Sequence, residues 1–155
     1  METMSEEIKT TLSTQQKICP TCGVKGKIVD GATVKSMLSL SLRLVRNVTY
    51  RFCSTTDCPV VYFSEDGKQL FSTADVRERV YQKEPESSDV LICYCFQHTL
   101  GEIRQQVDQS GESTALEDIN EGIRTEQCAC DWRNPQGSCC LGNVSQFMRE
   151  IQSQA

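Results

Sequence analysis

Histidine is nearly missing from this chain, and so are most marks of an enzyme. His98 is the one histidine among 155 residues. No nucleophile–histidine pairing stands out, and neither a Gly-rich phosphate loop nor a dinucleotide fingerprint is present. No stretch approaches the ~18–20 continuous apolar residues of a membrane span, so membrane insertion is not expected. The opening Met1-Glu2-Thr3-Met4-Ser5-Glu6-Glu7 is acidic with no apolar run behind it, which does not read as a signal peptide. A cytoplasmic location is the expectation. Basic residues are short as well, with 16 Lys and Arg against 21 Asp and Glu and a formal net charge of -5. Phosphate-backbone binding depends on clustered Lys and Arg, so nucleic acid is not an expected partner. An acidic surface suits a basic protein partner, or simply keeps the chain soluble.

Cysteine is abundant instead, with ten residues in an early group of four and a late group of six. Without export these thiols stay reduced, which points to metal ligation over a disulfide framework. Two groups suggest two small modules, and modules below ~70–80 residues usually need a staple. The expected fold class is α+β, a small zinc-stapled β domain followed by a small helical [2Fe–2S] domain. The expected divisions are a flexible tail over 1–16, a zinc-binding β domain over 17–82, a charged Pro- and Ser-containing linker over 83–89, and a cluster-binding domain over 90–155.

The early group opens with Cys19-Pro20-Thr21-Cys22-Gly23, a knuckle that lets two sulfurs reach one ion. A lone Cys-x-x-Cys also suits redox chemistry. The second pair, Cys53-Ser54-Thr55-Thr56-Asp57-Cys58, decides for zinc. A closed set of four thiolates has no position for a catalytic water, so its role is folding. Asp57 reads as a solvated turn residue. Around these pairs Lys27–Val29, Asn47–Phe52, Val60–Phe63 and Gln69–Phe71 read as strands. Asp30-Gly31 and Asp66-Gly67 read as turns. Met37–Val45 is open between strand and short helix, and Thr73–Lys83 between short helix and edge strand.

The late group brackets a helical segment. Cys93-Tyr94-Cys95 precedes Thr99-Leu100-Gly101-Glu102, which has capping-box spacing. Leu100, Ile103 and Val107 form one helical face, ended by Gly111. Leu116, Ile119 and Ile123 form a second, and Leu141, Val144, Phe147, Met148 and Ile151 a third. A [2Fe–2S] cluster needs four ligands, usually thiolates, around one small cavity. Cys93 and Cys95 supply two. Spacing leaves open Cys128 or Cys130, and Cys139 or Cys140, for the others. Trp132 is expected to shield the cluster, and His98 to take a surface or capping role.

These residues carry a resemblance. Residues 90–151 resemble the bacterioferritin-associated ferredoxin fold, which holds a [2Fe–2S] cluster in a small helical bundle. The Cys-x-Cys entry and Thr-capped helix match, but that family closes with Cys-x-x-Cys. The longer exit through Asn134-Pro135, Gly137 and Cys139-Cys140 instead resembles the N-terminal region of CopZ-type copper chaperones with iron–sulfur and zinc sites. That likeness runs from Cys19 to about Ile151 and takes in both cysteine groups in order. It implies cluster ligands Cys93, Cys95, Cys130 and Cys140, leaving out Cys128 and Cys139. Those two remain candidates for additional thiol ligands, alongside the plainer reading of buried small residues. The full-length chaperones also carry a copper-binding domain with a Met-x-Cys-x-x-Cys motif, which is absent from residues 1–155. The resemblance then implies a metallochaperone-like protein handling copper, working with a separate carrier or transporter. The cluster would serve as electron donor for metal reduction. A small ferredoxin-like electron carrier and a zinc-ribbon interaction module are the alternatives. No enzyme activity is expected beyond metal reduction at the cluster.

Overall fold

A computed structural model describes residues 17–154. The tail expected over 1–16 lies outside the described residues. The chain divides into two compact units between Glu78 and Arg79.

The first unit is a four-stranded antiparallel sheet in the order β1-β2-β3-β4: β1 Lys27–Val29, β2 Tyr50–Phe52, β3 Val60–Ser64 and β4 Leu70–Ser72. Tyr50 pairs with Ser64 and Phe52 with Tyr62, and the Phe52 and Tyr62 rings meet across the two strands with centroids 6.1 Å apart. An irregularity between Val60 and Tyr62 marks the β3–β4 ladder, and all five β3 residues are buried. The Asp66-Gly67 turn forms as the sequence suggests. Gly67 has φ +72°, and Asp66 Oδ1 accepts from the Lys68 amide at 3.0 Å.

Asp30-Gly31 does something else. Asp30 caps a short helix, α1 (Gly31–Met37), accepting from the Ala32 amide at 3.2 Å. The turn reading missed it because Asp followed by Gly serves a hairpin and a helix start equally well. Met37–Val45 resolves into the end of α1, a bridge between Leu38 and Val76, and a 3-10 turn over Leu42–Leu44. Arg51, 6% exposed, is satisfied by Glu65 at 2.7 Å and the Gly26 carbonyl at 2.6 Å.

The second unit begins with a 3-10 turn at Tyr81–Lys83, and residues 83–89 belong to it. A short ribbon, β5 Leu91–Cys93 with β6 His98–Thr99, leads into helices α2 Leu100–Ser110, α3 Ala115–Arg124, α4 Cys130–Arg133 and α5 Leu141–Gln154. Thr99 caps α2 by accepting from the Glu102 amide at 3.1 Å. Gly111 closes α2 at φ +83°, where a left-handed residue is needed. The apolar stripes fuse into one core around Ile92, Leu100, Ile103, Ile119, Val144 and Phe147.

Gly122 is where α3 meets the Cys93–His98 loop. A Cβ there would lie 2.0 Å from the Phe96 ring. Gly122→Ala is therefore expected to destabilise this unit by about 1–3 kcal/mol, as overpacking typically does. Urea denaturation followed by helical circular dichroism measures it, and an unchanged midpoint would contradict the close packing.

Candidate metal centres

The first centre is built by backbone turns. The Cys19 amide donates to the Val24 carbonyl at 2.9 Å, and the Gly23 amide to the Cys19 carbonyl at 2.8 Å. Gly23 sits at φ +79°, which folds the segment back after Cys22. The second pair sits between β2 and β3. The Cys53 amide donates to the Val61 carbonyl at 2.9 Å, and the Cys58 amide to the Thr55 carbonyl at 3.2 Å.

All four sulfurs lie within 4.8 Å of one another. Cys19–Cys58 is 3.8 Å and Cys22–Cys53 is 3.6 Å. Sulfurs held tetrahedrally at about 2.3 Å from one zinc stand about 3.8 Å apart, so the set fits the ion. Cys19, Cys53 and Cys58 are buried with Val60 and Phe63, and Cys22 is half-buried. Asp57 is exposed, outside the set.

Burial pushes the Cys19 thiol up to about 12 and also raises Cys58. At Cys22 burial opposes ionisation but is outweighed. Thr55 Oγ1 at 3.4 Å, the Val24 backbone and neighbouring thiols bring it down to about 6. A cation entering the set displaces the remaining protons, so metal binding here is favoured by rising pH.

The second group draws on four places in the helical unit. Cys93 ends β5, Cys95 follows in the loop, Cys130 opens α4, and Cys140 immediately precedes α5. Cys95 and Cys130 stand 3.6 Å apart, and the Ala129 amide donates to Cys95 Sγ at 3.1 Å. Cys140 is buried in the same core as Cys93, and hydrogen bonding to the Cys140 thiol is the leading cause that lowers Cys130 to about 6 and Cys93 to about 7. Cys140 itself is pushed upward, first by sharing hydrogen bonds with Cys130 and Cys93. Burial raises Cys95 to about 12. Cys93 and Cys140 are buried and Cys95 and Cys130 half-buried, while Cys128 and Cys139 are exposed. The buried-residue reading of that last pair does not hold, because both lie on loop stretches open to solvent. Among the described residues, no second set of three or more donors converges as tightly as the first four.

Residues 16–77 match a family model described as zf_CopZ, zinc binding domain. The chain carries a zinc-binding region of the CopZ type. It is also 30% identical over 122 residues to the copper chaperone CopZ of Archaeoglobus fulgidus, an alignment taking in 79% of this chain. The chain spans 57% of that relative, a little over half its length. The X-ray structure of the A. fulgidus CopZ N-terminal domain superposes with a TM-score of 0.71 at 28% identity, covering 84% of this chain and 96% of that domain. The α+β class expected from sequence is the one found: a four-stranded sheet with a four-cysteine cluster, then a mostly helical part. Among the described residues, no helix is long and apolar enough to cross a membrane.

Beside the CopZ-type zinc-binding region, the helical unit holds polar residues that sequence reasoning missed or misplaced. Gln136 is 9% exposed, within the Cys130–Cys140 loop. Its one signal was the neighbouring Asn-Pro, which announces a turn but not a buried amide. Trp132 is 60% exposed, so it does not shield the cysteines as expected. It lies on the four-residue α4, none of whose residues is buried.

His98, expected at the surface or as a cap, is buried. Its Nε2 meets Asp118 at 2.7 Å and its Nδ1 meets Glu102 at 3.0 Å. Burial works against its charge, but Asp118 and Glu102, with Cys93 opposite in the ribbon, outweigh it and hold its pKa above the ordinary 6.5. A raised pKa stabilises the fold below the unfolded value, and that contribution disappears as pH rises through the folded value. The stability that His98 contributes to the helical unit is thus expected to be lost as pH rises from the ordinary 6.5 through the raised folded value. His98→Gln should flatten that slope in urea titrations, and an equal slope in both proteins would contradict the assignment.

Proposed function

We propose that this chain is a metallochaperone-like protein that handles a thiophilic metal, copper. In this reading Cys19, Cys22, Cys53 and Cys58 hold zinc, and Cys93, Cys95, Cys130 and Cys140 hold a [2Fe–2S] cluster. The observation that carries it is the meeting of four thiols from separate elements of the helical unit, while the other two cysteines there stay exposed. Their donor chemistry fits the cluster, since four thiolates are its usual ligands. Their looser, pairwise contacts suit a two-iron group better than a single ion. The resemblance of residues 90–151 to the bacterioferritin-associated ferredoxin fold supports the same assignment. Likeness to a protein named as a copper chaperone supports copper as the cargo.

When bound, a [2Fe–2S] cluster supplies a one-electron couple, the change that takes Cu(II) to Cu(I). The chain's own residues prepare the site. Burial of Cys93 and Cys140 keeps water from one side. The Ala129 amide donates to Cys95 Sγ and offsets its negative charge. Cys140 lies at the start of the 14-residue α5, where amides and the helix dipole favour an anion. Exposed Cys128 and Cys139 offer soft sulfur donors to Cu(I) near the cluster. A separate carrier or transporter then takes the ion.

The test is anaerobic titration of the dithionite-reduced protein with Cu(II). The expected result is one reduced-cluster EPR signal lost per Cu(I) formed, with Cu(I) retained on the protein against a chromophoric chelator. No Cu(I) binding and no reaction of the reduced cluster would leave a small electron carrier instead.

A further inference from the structure

Three hydrogen-bonded positions tie one short segment to both loops that carry the second group of cysteines. Tyr94 lies between Cys93 and Cys95 and is 4% exposed. Its hydroxyl accepts from the Tyr81 amide at 3.0 Å and donates to the Arg79 carbonyl at 2.6 Å. One residue beyond Tyr81, the Gln82 side-chain amide donates to Gln136 Oε1 at 2.6 Å. Gln136 lies between Cys130 and Cys140, and its side-chain amide is fully used. Oε1 also accepts from Asn143 Nδ2 at 2.7 Å, in α5. Nε2 donates to the Ser138 and Cys139 carbonyls, each at 3.2 Å. The segment is itself closed into a loop, because the Arg79 guanidinium pairs with Glu84 at 2.7 Å and Asp89 at 3.0 Å.

We infer that residues 79–83 are a brace that sets the spacing between the Cys93–Cys95 loop and the Cys130–Cys140 loop, with Tyr94 and Gln136 as its two anchors. Gln136 is a positioning residue: it fixes the carbonyls just before Cys140 and the first turn of the helix that follows. Neither loop is held by regular structure over its full length. The residues between Asn134 and Cys140 take no part in a helix or strand. The distance from Cys93 and Cys95 to Cys140 therefore depends on a common support, and 79–83 is the segment bonded to both loops. Arg79, Tyr81 and Gln82, counted from sequence with the zinc-binding domain over 17–82, adjoin the 83–89 stretch, whose Glu84 and Asp89 pair with Arg79. This inference rests on the proposed cluster reading for its iron-release and spectroscopic arms alone.

The experiment uses the full chain, reconstituted anaerobically, with Gln82→Ala, Gln136→Ala, Gln136→Glu and Tyr94→Phe. Gln152→Ala is the control. It removes a hydrogen bond to the Gly111 carbonyl in the same unit, away from both loops. Supporting-shell losses typically weaken a metal site by about 10- to 100-fold, and release of iron to a chelator is expected to speed up on that scale in the Gln82, Gln136→Ala and Tyr94 variants. The EPR line shape and reduction potential should shift with it, while the control leaves all three unchanged. Gln136→Glu keeps the acceptor for Gln82 and Asn143 but loses its donors, and should fall between wild type and Gln136→Ala. Combining Gln82→Ala with Gln136→Ala should add little to Gln136→Ala alone, because both cut one link.

A second readout does not need the cluster. In the metal-free protein, maleimide labelling of Cys140 and Cys93 should accelerate in the brace variants and not in the control. Equal chelator release and equal labelling in all variants would overturn the brace. A wild-type protein with no iron and sulfide, but with labelling that still separates brace variants from control, would overturn the cluster reading and leave the brace standing.

Discussion

Cys19→Ser is expected to unfold residues 17–78 as a unit and to abolish zinc binding there. Cys19 is fully buried, 3.8 Å from Cys58, and packs with Val60 and Phe63. The sheet around it is small: three of its four strands have three residues each. Structural zinc sites contribute apparent binding free energies of about 10–16 kcal/mol, as much as a whole domain's stability. A serine hydroxyl is a poor zinc ligand at neutral pH, so losing one corner removes most of that support. Zinc content and the dispersed amide NMR signals of residues 17–78 report the result. Asp57→Ala, on an exposed side chain between the second pair, should change neither. A Cys19→Ser protein that kept zinc and its dispersed signals would mean that the hydrophobic core alone holds the sheet.

Cys140→Ser and Cys139→Ser should differ sharply although the residues are adjacent. Cys140 is 1% exposed and packed in one core with Cys93, whereas Cys139 is exposed and its sulfur meets the Leu141 amide, at 3.5 Å. Replacing Cys140 removes the thiol that links the two halves of the site, and iron and sulfide should fall to near background. Cys139→Ser should retain both at wild-type levels. Cys130→Ser and Cys128→Ser should divide the same way, since Cys130 Sγ lies 3.6 Å from Cys95 and Cys128 is exposed. Equal loss from both members of either pair would return the ligand assignment to the alternatives that spacing leaves open.

What could be read from the sequence differs by element, for physical reasons. The first four cysteines were legible because Cys-x-x-Cys and Cys-x4-Cys can reach one ion only through short turns, and those turns formed. Strands such as β3 were legible from the unbroken run Val60-Val61-Tyr62-Phe63. The three long helices announced themselves through capping by Thr99, the stop at Gly111 and their apolar stripes. Short elements did not. Asp30 caps α1, and nothing local separates that from a turn. The exposed or buried state of Cys128 against Cys130, or Cys139 against Cys140, is a tertiary property on which local spacing is silent; the family resemblance pointed to Cys130 and Cys140. Gln136 and His98 were opaque for the same reason: each is a polar side chain buried by partners from distant segments, Gln82 and Asn143 for one and Asp118 for the other.

The most direct test is metal and sulfide analysis, with absorption and EPR spectra, on anaerobically purified protein. The proposal predicts two irons, two sulfides and one zinc per chain, with a reducible cluster signal. Zinc alone, without sulfide, would contradict it. The cysteines of the helical unit would then be a second zinc or thiol site, with no electron to give.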